Sequence, residues 1–572
     1  HTYADHSGYK HISFSQSKSW MTTLESLVDE LAADTLEDGR PNKIHDDFRL
    51  WLTSMPATYF PIPILQNGVK MTNEPPRGLR ANMLRSMTML PTWTDFEECT
   101  GRIENVLSVW KRLAYSTCFF HAMVQERRRF GALGWNIVYE FNDSDLEAAL
   151  LLLKMFLEEQ PEIPYDALQY MTAVNGYGGR VTDFLDERCV ETILTLFYND
   201  EAALNPDYAV DTRSVKKLYR IPAGDKTLDE FKAFTETLPL TDGPEVFGLH
   251  MNAIITVEFN ETKNILGTSL MLQPRDTGSG GGGKTPDETV TEITVSIQER
   301  LPDVLTEDEA GPKAFVMRGE YLDSLSTALK QEMVRYNKII RKMQTTLRDI
   351  LRAIKGEVLM SAELDDQYMA TLNNLVPPNW ANVAYPSLKP LASWIADLIQ
   401  RIDFQRTWLH DGQPTVFWFG GFYFPQGFMT GTLQNHARKY KLPIDELKFS
   451  FEVTSWDEID EVEDPPNDGV YIFGIFFDGA RWNRETKTIY DAKPQTNWDT
   501  VPVVHFIPYQ NYVPDPKEFS CPVYKTSTRS GALSTTGMST NYVINIEMPC
   551  PEGQPPKFWT LAGVGCVINL ND

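Results

Sequence analysis

The chain has 572 residues, 42% of them hydrophobic and 12% aromatic, so a single small module and a globally disordered chain are both excluded, and roughly 150 residues per domain gives about four domains. Its 53 Lys and Arg against 78 Asp and Glu leave a net charge of −25, which disfavours broad electrostatic binding to nucleic acid or to an anionic membrane surface. Six cysteines, at 99, 118, 189, 521, 550 and 566, show no C-x-x-C or other ligand-like spacing and read as reduced, mostly buried thiols of an intracellular protein. The longest unbroken apolar run, Ala148 to Leu153, is six residues, against the ~18 that span a bilayer, so no membrane segment is expected. A first residue of His1 in place of Met points to a piece of a longer polypeptide.

Residues 1–76 read as an incomplete α/β segment. A helix is predicted over about 17–33, with Leu24, Leu27, Val28 and Leu31 on one face, followed by a strand at Phe48 to Ser54 and a short extended stretch from Phe60 to Lys70. From 77 to 273 the pattern is mainly helical. Ser144-Asp145-Leu146-Glu147 predicts a capped helix that ends before Pro161, and Thr182 or Asp183 opens a second one running to about Tyr198. Residues 274–286 form a Gly-rich linker. Beyond it, 287–411 is helical, and apolar steps of three and four residues predict one long helix over about 313–355, roughly 60 Å at 1.5 Å per residue. Another helix follows Pro386 and buries Leu391, Trp394, Ile395, Leu398, Ile399 and Ile402. Residues 412–572 carry strand-like runs at 447–453, 469–477, 486–490, 501–507, 520–525, 541–548 and 557–568, with one helix at about 430–440. These predict a small antiparallel β-barrel or sandwich. The stretch Asp457 to Asp468 holds seven acidic residues and no basic one, as a solvated loop does. The fold class is therefore α+β and multidomain.

Gly278-Ser279-Gly280-Gly281-Gly282-Gly283-Lys284-Thr285 satisfies the phosphate-loop pattern G-x-x-x-x-G-K-[ST]. Such a loop leaves a hydrophobic strand and enters a helix, so that backbone amides converge on phosphate. Here Pro274-Arg275-Asp276 breaks the chain before the glycines and Pro286 follows at once. The stretch reads as linker, and a phosphotransferase built on it is the alternative. Arg127-Arg128-Arg129 ends an apolar helical run and offsets a negative helix terminus more readily than it binds phosphate. His121 and His436 stand alone in helical patterns, and no histidine pair has zinc spacing. Asp365–Asp366 is too ordinary in an acidic chain to mark an acid/base couple. No catalytic, cofactor-binding or metal residue is assigned.

Longer strings carry more. Phe48-Arg-Leu-Trp-Leu-Thr-Ser-Met-Pro56, Leu65-Gln-Asn-Gly-Val-Lys-Met-Thr-Asn-Glu-Pro-Pro-Arg-Gly-Leu-Arg80, Phe119-Phe-His-Ala122, Phe130-Gly-Ala-Leu-Gly-Trp-Asn-Ile137 and Tyr177-Gly-Gly-Arg-Val-Thr-Asp183 resemble the dynein heavy chain family. So do Tyr385-Pro-Ser-Leu-Lys-Pro-Leu391, Phe424-Pro-Gln-Gly-Phe428, Gly431-Thr-Leu-Gln-Asn-His-Ala-Arg-Lys-Tyr440 and Cys521-Pro-Val-Tyr-Lys-Thr526. The resemblance covers nearly the whole chain in order, and the strings at 424–428 and 431–440 are more similar to axonemal than to cytoplasmic members. Met538 departs from the family, which usually has His there, and the 457–468 loop is short and acidic.

The resemblance implies the C-terminal part of a minus-end-directed, ATP-driven microtubule motor. In that picture residues 1–76 are the back half of the large subdomain of the sixth AAA+ module, 77–273 its helical small subdomain, and 287–572 the C-terminal domain. The phosphate-binding and Walker B strands would lie before His1, and ATP with Mg is expected at other modules. The implied partners are the preceding modules and linker of the same chain, microtubules through a stalk outside it, and intermediate and light chains through a tail outside it. Nucleic acid and membrane are not among them. The implied location is cytoplasm, cytoskeleton, and the axoneme of a cilium or flagellum. The expected role is to brace the ring and pass on conformational change without hydrolysing ATP; a non-motor scaffold is the further alternative.

Overall fold

Apolar residues three and four apart from Leu325 to Ile350 place one continuous stripe against the interior, and they form the longest element of the computed structural model, the helix Ser324–Ile354. The structure describes residues 3–4, 9–13, 20–32, 48–53, 60–71, 76–89, 93, 96–211, 213, 217–272, 285–532 and 539–571. The chain divides into two units, residues 1–76 and 77–572.

In the first unit the strand Tyr9–Ser13 pairs in parallel with Arg49–Thr53 and antiparallel with the short strand Tyr3–Ala4. The helix Met21–Ala32 buries Met21 and Leu24, against which Leu50 and Leu52 pack. The expected extended stretch at 60–70 is instead a helix, Ile62–Asn67, that adds Ile64 to this core. Its prolines fall at the N-cap and in the first turn, where a missing N–H costs nothing.

In the second unit the helical region centres on Val106–Glu126, buried along almost its whole length. The helix expected from Ser144 begins one residue earlier, as Asp143–Glu159, because the Asn142 amide donates to Asp145 at 2.8 Å and makes Asn142 the cap. Asp183 caps the helix Phe184–Leu194, which stops short of the expected Tyr198. Ala253–Leu272 leads toward the Gly-rich stretch, and Pro286–Arg300 follows it. The long helix is 31 residues, about 46 Å at 1.5 Å per residue, and shorter than expected. Residues 313–323 are excluded from it because Met317–Arg318 and Tyr321–Leu322 form a hairpin through Gly319, at φ +70°. Asp323 then caps the helix by accepting from the Leu325 amide at 2.9 Å.

The C-terminal strands form two sheets and a separate hairpin. One sheet orders Val416–Trp418, Val470–Phe473, Val504–Gln510 and Leu447–Val453. The other orders Trp498–Thr500, Phe476–Asp478, Gly565–Val567, Glu518–Tyr524 and Tyr542–Pro549. Ala480–Asn483 and Thr488–Asp491 make the hairpin. The expected all-antiparallel pairing is corrected, and a closed barrel is not shown. Val416–Trp418 with Val470–Phe473, and Glu518–Tyr524 with Gly565–Val567, are parallel pairs, and among the described residues no ladder closes the two sheets on each other. The expected strand at 469–477 breaks at Gly474, whose φ of +82° turns the chain from one sheet into the other. The expected strand at 557–568 is a helix, Pro556–Leu561, followed by Gly565–Val567. One core gathers residues 79–257 together with Leu561, and a second gathers residues 297–568.

Candidate functional site

The presence of Leu561 in the helical core marks where the helical region meets the sheets. Helix ends leave carbonyls without intrahelical partners and carry partial negative charge. Three such ends converge on Arg127, which is fully buried. Its guanidinium donates to Leu561 O at 3.2 Å, to Leu133 O at 3.4 Å and to Phe247 O, the last residues of Pro556–Leu561, Arg127–Leu133 and Pro244–Phe247. Nε donates to Gly134 O at 3.3 Å, and the Trp135 ring lies 5.5 Å from the guanidinium carbon. One cation thus satisfies carbonyls from both regions. The backbones approach closely here: a Cβ on Gly563, at φ +65°, would stand 2.0 Å from Leu133 O, so only glycine fits.

A second contact lies on the other side of the 130s segment. Asn136 donates through its side-chain amide to the Tyr524 hydroxyl at 2.9 Å and to Asp183 at 3.2 Å. Asp186 accepts from the Asn136 and Ile137 amides at 3.0 and 3.1 Å and from the Tyr139 hydroxyl at 2.9 Å. Burial, and then the neighbouring Asp183, push the Asp186 carboxyl up to about 7, while these three donors hold it down. Burial raises the Tyr524 phenol as well. Leu185 packs against Tyr524 and Val567.

The rim of the joint is polar. Arg188 donates to Ser520 O at 3.2 Å and lies over the Phe519 ring at 5.6 Å. Arg213 pairs with Asp491 at 2.9 Å and stacks 4.1 Å over Phe558. The Asn252 amide donates to Lys493 O and Thr496 O at 2.7 and 2.9 Å. These groups hold two regions in one relative position, with hydrogen bonds distributed over at least four segments of each.

Residues 259–568, more than half of the sequence, match the family described as the C-terminal domain of the dynein heavy chain. The protein belongs to the dynein heavy chain family. It also matches the dynein heavy chain AAA lid domain over 110–253 and the dynein heavy chain region D6 P-loop domain over 14–72. It is 45% identical to dynein axonemal heavy chain 6 of Homo sapiens over 97% of this chain and 13% of that one. Against dynein axonemal heavy chain 3 of Mus musculus it is 43% identical, again over 97% of this chain and 13% of the relative. The sequence therefore spans about an eighth of the length of these relatives, and it is the C-terminal region of a dynein heavy chain that it matches.

The joint lies between the lid match and the dynein C-terminal match. The Gly278–Thr285 string falls outside the P-loop match, and Gly278 to Lys284 lie outside the described residues. Thr285 accepts from the Glu288 amide at 3.2 Å and so caps Pro286–Arg300. A helix does follow the glycines, whereas the described element before them is a helix and not a strand. Arg127 serves helix termini, as its sequence position suggests, but those of three short helices that meet around it. Arg129 pairs with Glu126 at 3.5 Å, and Arg128 is half-buried. His121 sits between the Tyr177 hydroxyl at 2.8 Å and Gln125 at 2.9 Å, and burial lowers it to about 4. His436 faces Asp468 at 3.4 Å and lies against the Tyr440 ring, tilted 48° to it. Asp365 and Asp366 are both exposed. Among the described residues no group of three or more His, Cys, Asp and Glu could hold a metal, and no helix is long and apolar enough to cross a membrane. Spacing singles out neither Asn136 nor Tyr524, and Asp183 only as the opening of a helix, yet each lies in a string that carries the family resemblance.

Proposed function

We propose that this chain is the ring-bracing end of an axonemal dynein heavy chain, a microtubule-based, minus-end-directed, ATP-driven motor of cilia and flagella. In this reading 1–76 closes the large subdomain of the sixth AAA+ module, 77–273 is its helical lid, 274–286 a linker, and 287–411 with 412–572 the C-terminal domain, whose two sheets work as one barrel-like unit. ATP and Mg act at other modules. The preceding modules and linker of the same chain are its immediate partners, while microtubules and the intermediate and light chains engage parts outside it. Nucleic acid and membrane play no part, in keeping with the net charge of −25.

The observation that carries the bracing role is the convergence of carbonyls from lid and C-terminal segments on buried Arg127. A rigid-body shift of the lid cannot leave the sheets behind without orphaning those carbonyls, so displacement passes on as displacement. In a complete heavy chain, Arg127→Met should slow microtubule gliding while ATP turnover in the absence of microtubules persists. Unchanged gliding would remove the bracing role. The 572-residue chain itself is expected neither to hydrolyse ATP nor to pellet with microtubules, and ATP turnover abolished by Lys284→Ala would favour the phosphotransferase instead.

A further inference from the structure

The exposed side of the longest helix is basic, in a chain whose net charge is −25. The steps of three and four residues that bury Tyr336, Ile339, Ile340, Met343, Leu347 and Ile350 leave positions 334, 338, 341, 345, 348, 352 and 355 in one exposed line. That line reads Val, Lys, Arg, Thr, Arg, Arg, Lys. Among the described residues Arg352 pairs with Glu357 at 3.3 Å, whereas Lys338, Arg341, Arg348 and Lys355 form no ion pair. Cations three or four residues apart on a helix repel one another. The negative helix terminus offsets that cost for Arg352 and Lys355, but its field fades within one turn and does not reach Lys338, Arg341 or Arg348.

The chain's own acidic loop cannot cover this line. The stretch 457–468 exposes Glu458, Asp460, Glu463 and Asp464, none of them in an ion pair among the described residues. It is pinned at both ends, Asp457 to Arg484 at 2.6 Å and Asp468 to Lys439 at 2.9 Å, and in its middle Val462 is buried with Val416 and Val503. These pins stand at the start of the long helix. Arg438, next to Lys439, donates to Ser324 Oγ at 2.8 Å, and Gln413, just before Val416, donates to Asp323 at 3.2 Å. Arg348 lies about 36 Å further along the axis at 1.5 Å per residue. A rigid helix thus holds an acidic end and a basic flank of the C-terminal region apart.

We propose that the basic line of one copy receives the acidic loop of a second copy, the two joined head to tail. Lys338, Arg341 and Arg348 face Glu458, Asp460, Glu463 and Asp464, and each surface supplies the charge that the other lacks. Val334, 70% exposed on the line, and Ile459, 41% exposed on the loop, give the contact an apolar part. One surface meets a different one, so the contact repeats from copy to copy. The inference goes beyond the bracing reading and does not rest on it, because line and loop both belong to the C-terminal region.

The test is sedimentation velocity of the 572-residue chain over a range of concentrations, in about 0.05 M and about 0.5 M NaCl. The parent should associate with rising concentration in low salt, and at least about tenfold more weakly in high salt. Lys338→Glu with Arg341→Glu and Arg348→Glu should be monomeric, and so should Asp460→Lys with Glu463→Lys and Asp464→Lys. An equimolar mixture of these two triple variants should associate again, since the reversed line of one then faces the reversed loop of the other. That recovery also shows that both variants are folded. Arg127→Met should associate like the parent, whatever it does to the joint. A parent that stays monomeric in low salt, a triple variant that associates alone as the parent does, or a mixture that stays monomeric would each overturn the proposal.

Discussion

Arg127 and Arg401 are both fully buried, yet they hold their surroundings by different means. Arg401 lies inside the C-terminal region and pairs with Asp397 at 2.6 Å, which also accepts from the Tyr385 hydroxyl at 2.7 Å. It stacks 3.8 Å over the Tyr385 ring and donates to Gly420 O and Asn569. Nearby, Glu332 of the long helix accepts the Phe424 amide at 3.0 Å, and the Tyr336 hydroxyl donates to Gly421 O at 2.9 Å. A charge pair of this kind bolts one region internally. Arg127 makes no ion pair among the described residues; it is held by carbonyl dipoles at helix ends, contributed by both regions. The first arrangement fails by stranding a charge, the second by orphaning dipoles. The second arrangement suits the proposed role of passing on motion, since each carbonyl it releases costs less than a bare carboxylate.

The largest effect should come from breaking the bolt. Arg401→Met leaves buried Asp397 with only the more distant Lys389, at 4.0 Å, as a cation, and denaturant unfolding should register a loss of about 3 kcal/mol. Arg401→Met with Asp397→Asn should recover a good part of it, because the poorly compensated charge is gone. No recovery would mean that the ring contacts carry the stability. Arg127→Met comes next, with about 2–3 kcal/mol from carbonyls left unpaired. Here the shape of the transition matters as much as its midpoint: the helical and sheet regions should unfold in two steps where the parent shows one. Arg127→Lys should not rescue it, because an ammonium lacks the planar fork that reaches four carbonyls.

Periodicity makes the helices and many of the strands readable, for both depend on which face is buried. Leu447–Val453 is legible to the residue. What escapes the pattern is local: the Gly474 turn that divides 469–477 between sheets, the Asp323 cap that shortens the long helix, and the Pro556–Leu561 helix hidden in a strand-like run. Each depends on a φ angle or a tertiary partner, to which a pattern of apolar residues is blind. The joint is harder still. The apolar run before Arg127 marks it as a partner for helix termini, but not for which termini, since Leu561 lies 434 residues away. Asn136 and Tyr524, 388 residues apart, carry no spacing signal at all.

A pH measurement separates the joint from the bolt by a smaller margin. The Asp186 carboxyl stands at about 7 in the folded protein, above its ordinary value of 3.8. The folded state therefore holds this proton more tightly, and the stability it confers is full below the unfolded value and lost as pH rises through about 7. Between those limits the parent should lose up to about 1.4 kcal/mol per pH unit relative to Asp186→Asn. Glu332 and Glu547, also raised to about 7 by burial, are common to both proteins and drop out of the difference. A parent and variant with parallel pH profiles would show that Asp186 does not titrate with folding.

The finest test is the single bond from Asn136 to Tyr524. Tyr524→Phe keeps the ring in place against Leu185 and Val567 and removes only the acceptor. One proton of the Asn136 amide then has no partner, although the other still reaches Asp183 at 3.2 Å. The expected cost is about 1 kcal/mol, and Asn136→Ala should cost more because it also abandons Asp183. If the bond couples the regions, the double variant should be less destabilised than the sum of the two by about 0.5–1 kcal/mol, since the second substitution removes a partner already lost. Strict additivity would mean that the two side chains are neighbours without being coupled, and that Arg127 alone holds the inner seam. A coupling larger than that of Arg127 with its carbonyls would instead move the centre of the joint to the Asn136 side, where the lid meets the sheet through Tyr524.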